Sequence, residues 1–210
     1  MRIDGQRTRA KIIDTAELLY AEKGIDNVTL LSINKAAGQS NRNAAKYYFQ
    51  NKQGLLEAVL KKHALQINER RLELLANLEQ RDDAGIEDVM SAIVSPLGAK
   101  LSEGASGIAY IRINGQLMEN PEFSSLRTKL GIDLRNNARL DEMFRRFIPD
   151  ASREVRDFRS LLVENLMYHG LSAFASRHLR NSRRSAASPT RDPQEFITEL
   201  VRALSAIIDR

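Results

Sequence analysis

Several residue types and patterns are missing from this chain of 210 residues, and each absence excludes a class of protein. There is no cysteine, so disulfide bonds and thiolate metal sites are impossible, which fits a reducing compartment. No apolar run approaches the ~20 residues of a membrane-spanning helix, and the polar N-terminus is unlike a signal peptide. We therefore expect a cytoplasmic protein with no membrane partner.

Signals of catalysis are also missing. The three histidines, His63, His169 and His178, are scattered and lack the spacing of metal ligands. There is no glycine-rich phosphate loop, and the GASG segment at residues 104–107 is too short for a nucleophile elbow. The sequence therefore predicts a protein that is not an enzyme and that has no cofactor and no metal site.

What is present is a succession of helical patterns divided by breakers. No alternating strand pattern and no internal repeat is visible, so the predicted fold class is all-α. The predicted helices span residues 10–23, 52–78, 85–97, 108–118, 121–147, 152–179 and 193–209, with a loop at 98–107 and two short helices in 28–52. The last helix has a clear start signal, with Asp192 as N-cap, Pro193 at N1 and Glu195 at N3.

Residues 28–52 have the pattern of a helix-turn-helix. Thr29 can cap a first helix whose apolar residues recur at the i, i+3, i+4 spacing of one helical face. Gly38 can take the positive φ of the turn, Ser40 can cap the second helix, and residues 41–45 would form its first turns. The second helix is thus predicted to be short, polar and basic at its start.

The chemistry of that second helix suits the reading of DNA bases. Arg42 can bind guanine through two hydrogen bonds, and the flanking Asn41 and Asn43 can do the same to adenine. Between Asp26 and Glu57 there is no acidic residue, in a chain with net charge +5 and a pI near 9.6. A phosphate-facing surface requires such a gap in negative charge. The alternative is a solvated helical hairpin that happens to lack acids.

Residues 7–60 resemble the N-terminal DNA-binding domain of the TetR family of transcriptional regulators. The resemblance begins with the first-helix pattern I-x-x-x-A-x-x-L-[FY]-x-x-x-G and continues through the turn to the lysine and leucines of a fourth helix. The matching residues are Ile12, Ala16, Leu19, Tyr20, Gly24, Thr29, Ile33, Ala36, Gly38, Ser40, Tyr47, Phe49, Lys52, Leu55 and Leu56. One departure is that the commoner pattern has one residue fewer between Gly38 and Phe49, with a tyrosine where Lys46 stands.

The resemblance implies a three-helix DNA-binding domain at residues 1–51 and a larger helical ligand-binding and dimerisation domain at residues 52–210. It also implies a homodimer that binds double-stranded DNA at a palindromic operator and releases it when an unknown small molecule binds. The residues that we assign to DNA contact are Arg9, Thr29, Gln39, Ser40, Asn41, Arg42, Asn43, Lys46, Tyr47 and Lys52.

Two further sites are expected in the larger domain. The last two helices have wide apolar faces that predict a four-helix dimer interface, built from Phe158, Leu162, Leu166, Gly170, Ile197, Leu200, Val201 and Leu204. Alternatively, these faces close the core of a monomer. The segment 110–123 mixes apolar and polar residues as ligand pockets do, or as an ordinary amphipathic helix does. Its candidate pocket residues are Tyr110, Ile113, Asn114, Leu117, Met118 and Phe123.

The leading functional hypothesis is a repressor that a small-molecule ligand releases from its operator. One alternative is a helix-turn-helix protein that binds DNA without responding to a ligand, although such a protein does not need so large a second domain. Another is an all-α ligand-binding protein that has lost DNA binding, although it would not need an acid-free recognition segment.

Overall fold

A computed structural model of the protein describes residues 3–134, 137–184 and 192–209. All regular structure in these ranges is helical, so the all-α prediction is confirmed. The α-helices are α1 (Ile3–Lys23), α2 (Leu30–Ala36), α3 (Ala44–Phe49), α4 (Lys52–Glu79), α5 (Ile86–Gly98), α6 (Gly104–Glu119), α7 (Ser124–Lys129), α8 (Ala138–Phe147), α9 (Arg153–Arg184) and α10 (Pro193–Asp209). Two short 3₁₀ helices cover Ala99–Ser102 and Pro121–Phe123.

The first three helices pack around buried apolar side chains that are continuous with the core of the larger domain. These side chains include Ile12, Ala16, Tyr20, Ile33, Ala45 and Phe49. Thr29 caps α2 as predicted, since its hydroxyl accepts a hydrogen bond from the Ser32 amide at 3.1 Å and the Ser32 hydroxyl accepts one from the Thr29 amide. Gly38 has a φ of +64°, the conformation that the predicted turn requires.

Helix α4 joins this small domain to the larger one. Asn51 caps it by accepting a hydrogen bond from the Gly54 amide at 2.8 Å. The first half of α4 packs against α1, and its second half packs against α5. Helix α4 begins at Lys52, which is where the sequence predicts that the second domain starts. Because α4 packs against helices of both domains, the domain boundary stays a prediction.

Helix α6 is the centre of the larger domain. It packs against α1 on one side and against α9 on the other, and α10 packs on α5 and α9. Helix α10 has the predicted bounds, and Asp192 starts it by accepting a hydrogen bond from the Gln194 amide at 3.0 Å. The N-terminal helices therefore rest, through α1, directly on the central helix of the larger domain.

Three predicted boundaries are wrong. Helix α1 begins at Ile3 instead of residue 10, and the predicted loop at 98–107 contains a 3₁₀ turn and the start of α6. The single helix predicted for 121–147 is broken, because Gly131 adopts a φ of +66° and ends the α7 segment. Asn137 then starts α8 by accepting hydrogen bonds from the backbone of the next turn.

No helix in the described part of the chain combines the length and the hydropathy that a membrane span needs.

Candidate nucleic-acid interface

The turn of the helix-turn-helix is held by one buried side chain, Asn34 of α2. Its amide nitrogen donates to the Arg42 carbonyl at 2.6 Å, and its amide oxygen accepts from the Ala45 amide at 2.9 Å. The backbone of Asn34 also accepts a hydrogen bond from the Gln39 amide at 3.0 Å. The side chain is 2% exposed; its bond with the Ala45 amide is buried, and its bond to the Arg42 carbonyl is partly buried. Asn34 thus fixes the start of α3 relative to α2, a role that the sequence analysis missed.

The predicted base-reading residues lie before α3 and not within it. Helix α3 begins at Ala44, so the expectation that Ser40 caps it is wrong. The carboxamide of Asn41 instead accepts a hydrogen bond from the Asn43 amide at 2.9 Å, which makes a turn. Because Asn34 holds Arg42 and Ala45, the helix cannot extend back to Ser40. The side chains of Ser40, Asn41, Arg42 and Asn43 are all exposed.

Helix α3 presents an exposed aromatic and cationic face. Tyr47 is 81% exposed, and its ring lies edge-on to that of Tyr48 with the centroids 5.1 Å apart. Lys46 is exposed beside it. Arg9 of α1 lies over the Phe49 ring, with its guanidinium carbon 5.1 Å from the ring centroid. Helix α3 therefore contacts Arg9, although 40 residues separate Arg9 and Phe49 in the sequence.

The joint between α3 and α4 is tightly built. Gln50 has a φ of +66° and a ψ of −52°, and the Asn51 amide donates to the Phe49 carbonyl across it at 2.7 Å. This γ-turn with positive φ is strained for any residue with a side chain. Gly54 lies so close to the Phe49 carbonyl oxygen that a β-carbon there would collide with it. The ammonium group of Lys52 donates a hydrogen bond to the Asp26 carbonyl at 3.1 Å, so the start of α4 is also bound to the segment between α1 and α2.

The ten residues assigned to DNA contact are solvent-accessible to different degrees. Arg9, Gln39 and Lys52 are half-buried, and the other seven, which include Thr29, are exposed. No carboxylate side chain occurs from residue 27 to residue 56, so the only charges in that span are positive. A polyanion could approach this surface without repulsion from that segment.

The candidate ligand-pocket residues lie in and around the packed core of α6. Tyr110, Ile113, Asn114 and Leu117 are buried, whereas Met118 and Phe123 are half-buried at its edge. Burial raises the pKa of Tyr110 to about 12. The Asn114 amide nitrogen donates to the Tyr110 carbonyl at 2.8 Å, and its buried amide oxygen has no hydrogen-bond partner. The core around α6 thus contains an unused acceptor.

Open space in the described part of the larger domain includes a groove between α4 and α5. This groove has a volume of about 460 Å³ and is lined in part by Leu74, Leu78 and Pro96. Behind it, the buried guanidinium group of Arg71 donates two hydrogen bonds to the Ile93 carbonyl, at 3.1 and 3.2 Å. Arg71 was not identified from the sequence. The Ile93 carbonyl that Arg71 binds lies one helical turn before Pro96. Pro96 has no N–H, so it interrupts the backbone hydrogen bonds of α5 at this turn.

The candidate dimer residues divide into two groups. On α9, Phe158, Leu162 and Leu166 are 63%, 50% and 41% exposed, so they form an apolar stripe that faces solvent. On α10, the side chains of Ile197, Leu200, Val201 and Leu204 are buried within the protomer. Gly170 lies against Leu200 of the same chain, since a β-carbon there would be 3.6 Å from its Cδ1. Among these candidates, the α10 side chains therefore have partners within the protomer, whereas the three side chains of the α9 stripe face solvent.

Comparisons with known proteins agree with this geometry. Residues 12–59 match the family model described as bacterial regulatory proteins, tetR family, which confirms the resemblance found in the sequence. A search of curated proteins gives no match.

The solved structures that resemble the chain cover nearly all of it. A protein of Rhodococcus sp. assigned to the TetR family of transcriptional regulators has 14% identity and a TM-score of 0.56, with 96% of this chain and 99% of that one covered. NalD, the secondary repressor of the MexAB-OprM multidrug efflux pump in Pseudomonas aeruginosa, has 21% identity and a TM-score of 0.50, with 96% and 97% covered. A gamma-butyrolactone receptor, an ArpA-like protein, has 19% identity and a TM-score of 0.50, with 98% and 99% covered. At these identities the likeness shows the fold.

Proposed function

We propose that this chain, whose N-terminal domain is that of a TetR-family regulator, is a DNA-binding repressor that a small molecule releases from a palindromic operator. The observation that carries the proposal is the acid-free segment 39–47, which exposes the side chains of residues 40–43, 46 and 47 and is held in place by the buried Asn34. A solvated hairpin would not need its turn fixed by a buried side chain with two hydrogen bonds. A surface that must fit a DNA groove does need a fixed backbone.

Two groups of residues divide the work of DNA binding. Asn41, Arg42 and Asn43 have side chains that can read base edges, and they project from the turn that precedes α3. Lys46, Tyr47 and Arg9 suit phosphate contact, as do Thr29 and Lys52 at the starts of their helices. Phosphate contacts set the position of the domain, and base contacts select the sequence.

A second protomer supplies the second recognition helix. The apolar stripe of α9, made of Phe158, Leu162 and Leu166, is the surface that we assign to the two-fold contact. Burial of these side chains would remove apolar area from water, which favours association. Two recognition helices related by a two-fold axis would read half-sites ~34–36 Å apart along the DNA.

The ligand is expected in the larger domain near α6, where Ile113 and Leu117 are apolar and Asn114 has a free buried acceptor. Such a lining suits a largely apolar molecule with one hydrogen-bond donor. Among the relatives by fold, NalD is a repressor and the ArpA-like protein is a receptor for a small molecule, which supports a ligand-responsive role here.

The experiment that tests the proposal compares two single substitutions on selected operator DNA and on random DNA. Arg42→Ala should cost roughly 1–3 kcal/mol on the operator and relax the sequence preference, because it removes a base contact. Lys46→Ala should weaken binding to all sequences alike and lower the salt slope by about one per protomer. Arg146→Ala on α8 is the matched control, since it removes one exposed cation from the larger domain. Loss of the same size for Arg42→Ala on both DNAs would refute the assigned base contact.

A constitutive DNA-binding protein is the second candidate, and a ligand screen separates it from the first. An inducer must raise the melting temperature of the free protein and weaken its operator affinity, because the two binding equilibria are linked. Compounds that stabilise the protein without any effect on operator affinity would favour the constitutive function.

A further inference from the structure

Helix α6 of the larger domain is bound to the DNA-binding domain by the side chain of Gln116. Its amide nitrogen donates to the Tyr20 carbonyl at 3.0 Å, and its amide oxygen accepts from the Ile25 amide at 2.7 Å. These bonds connect residues 96 and 91 positions apart in the sequence. One carboxamide thus holds both sides of the point where α1 ends.

The two bonded groups belong to a segment that orients α2. Tyr20 lies in the last turn of α1, and Ile25 follows Gly24, whose φ of +91° reverses the chain. The Tyr20 carbonyl also accepts a hydrogen bond from the Gly24 amide at 3.0 Å, whereas the Ile25 amide lies beyond the end of α1 and donates to Gln116. By binding one backbone group on each side of the helix end, the Gln116 side chain fixes the exit direction of the chain. Four residues after Ile25, Thr29 caps α2, and α2 carries the Asn34 that holds α3.

A second contact ties α1 to the same core. The buried carboxylate of Glu17 accepts hydrogen bonds from Lys62 and His63 of α4 and from Ser106 of α6, at 2.9, 2.7 and 2.6 Å. Ser106 and Gln116 are ten residues apart on α6, which is ~15 Å along a helix. Hydrogen bonds therefore attach α1 to α6 near both ends of α6.

The neighbours of Gln116 on α6 are the apolar residues assigned to the ligand. Ile113 and Leu117 are fully buried, and Leu117 is the next residue in the chain. Because these side chains are covered by the helices packed on α6, a molecule that binds them would have to move α6 relative to those helices. A hydrogen bond of 2.7–3.0 Å weakens steeply once the atoms separate by about 1 Å more, so a small shift of α6 is enough to release Tyr20 and Ile25.

We propose that Gln116 is the positioning residue through which α6 sets the orientation of the helix-turn-helix, so that occupancy of the α6 core and binding of DNA are coupled through the end of α1. The inference rests on the proposed function and names the route of its regulation. In this route, a movement of α6 reaches the helix-turn-helix through the end of α1 and does not require a movement of α4, because the hydrogen bonds of Gln116 join α6 directly to Tyr20 and Ile25.

The matched variants are Gln116→Met, which keeps the length of the side chain and removes both hydrogen-bonding groups, and Gln194→Met, the same change at an exposed position of α10. The readout is amide hydrogen exchange, measured on the free protein and on the complex with operator DNA selected from a random pool. In the free protein, the Ile25 amide should exchange at least about tenfold faster in Gln116→Met than in wild type or in Gln194→Met. An unchanged rate at Ile25 would overturn the role given to this contact.

Hydrogen exchange in the complex with operator DNA shows whether Gln116 couples α6 to DNA binding or only stabilises the fold. In wild type, saturating operator should change the exchange of the α6 amides, since coupling is reciprocal. In Gln116→Met that change should fall to less than about half, while operator affinity shifts by less than about tenfold. A DNA-induced change in α6 that persists in full in Gln116→Met would refute the coupling and leave DNA binding intact.

Two further outcomes are decisive. If wild type selects no DNA, both the proposed function and the coupling role are refuted. If Gln116→Met does not fold, Gln116→Glu replaces it, because the carboxylate keeps the acceptor for Ile25 and loses the donor to Tyr20. Its DNA-induced change in α6 should be smaller than that of wild type, and an undiminished change would again refute the coupling.

Discussion

Replacement of Asn34 by alanine should destabilise the protein and should also disorder the turn at residues 39–43. The variant loses the bond to the Arg42 carbonyl at 2.6 Å and the bond to the Ala45 amide at 2.9 Å. The Ala45 amide is buried, so its loss of a partner costs about 1–3 kcal/mol, while the partly buried Arg42 carbonyl can be rehydrated at a cost of about 1 kcal/mol. The expected loss in the free energy of unfolding is roughly 2–4 kcal/mol.

Thermal denaturation measures this loss directly. For a chain of this length each kcal/mol corresponds to about 2–4 °C, so the melting temperature should fall by roughly 4–16 °C. Asn27→Ala is the matched control, because the Asn27 side chain makes a single exposed hydrogen bond, to the Lys23 carbonyl at 2.9 Å. That variant should stay within about 0.5 kcal/mol of wild type.

Operator binding gives the second readout of the same substitution. Asn34 is buried, yet the turn at 39–43 depends on it, so Asn34→Ala should weaken operator binding by at least about tenfold at a temperature where the variant is folded. Fluorescence anisotropy with labelled operator measures the affinity. If Asn34→Ala were no less stable than Asn27→Ala and bound operator as wild type does, the role given to Asn34 would be refuted.

Three further predictions concern stability and assembly. Burial raises the pKa of Glu17, but hydrogen bonds from His63, Ser106 and Lys62 outweigh burial and hold the pKa below its ordinary value of 4.5. The stabilisation by the ionised Glu17 is therefore present above about pH 4.5 and is lost as the pH falls through the folded-state pKa. In urea titrations, the difference in unfolding free energy between wild type and Glu17→Gln should shrink on acidification, and a constant difference would contradict this prediction. Phe158→Asp should sediment as a folded monomer with weak operator binding, and a persisting dimer would exclude the α9 stripe as the interface. Gln50→Gly should raise the unfolding free energy by about 1 kcal/mol in denaturant titrations by removing strain, and a lower value would show that the γ-turn is not strained.

Local signals in the sequence account for the parts of the fold that were predicted well. Thr29, Gly38 and Asp192 act on backbone groups within three residues of themselves, so their residue types are enough to mark caps and turns. The bounds of α4 and α10 follow from the same kind of signal. Ser40 has a good capping side chain but does not cap α3, because the distant Asn34 determines where that helix begins.

The parts that were missed depend on long-range contacts. Asn34 and Gln116 bind backbone atoms 8 to 96 residues away, and nothing in their local sequence marks either one. The apolar faces of α9 and α10 both predict burial, but periodicity does not tell whether the partner lies in the same chain or in another copy. Packing decides this for α10, where Leu200 and Leu204 are covered within the protomer.

Selection of DNA fragments from a random pool by the purified protein tests the central claim most directly. A dimer that reads DNA through residues 41–43 should enrich one palindromic motif whose half-sites are about one helical turn apart, and Arg42→Ala should lose preference at one position in each half-site. Enrichment of no motif by wild type, or of the same motif with undiminished preference by Arg42→Ala, would contradict the account.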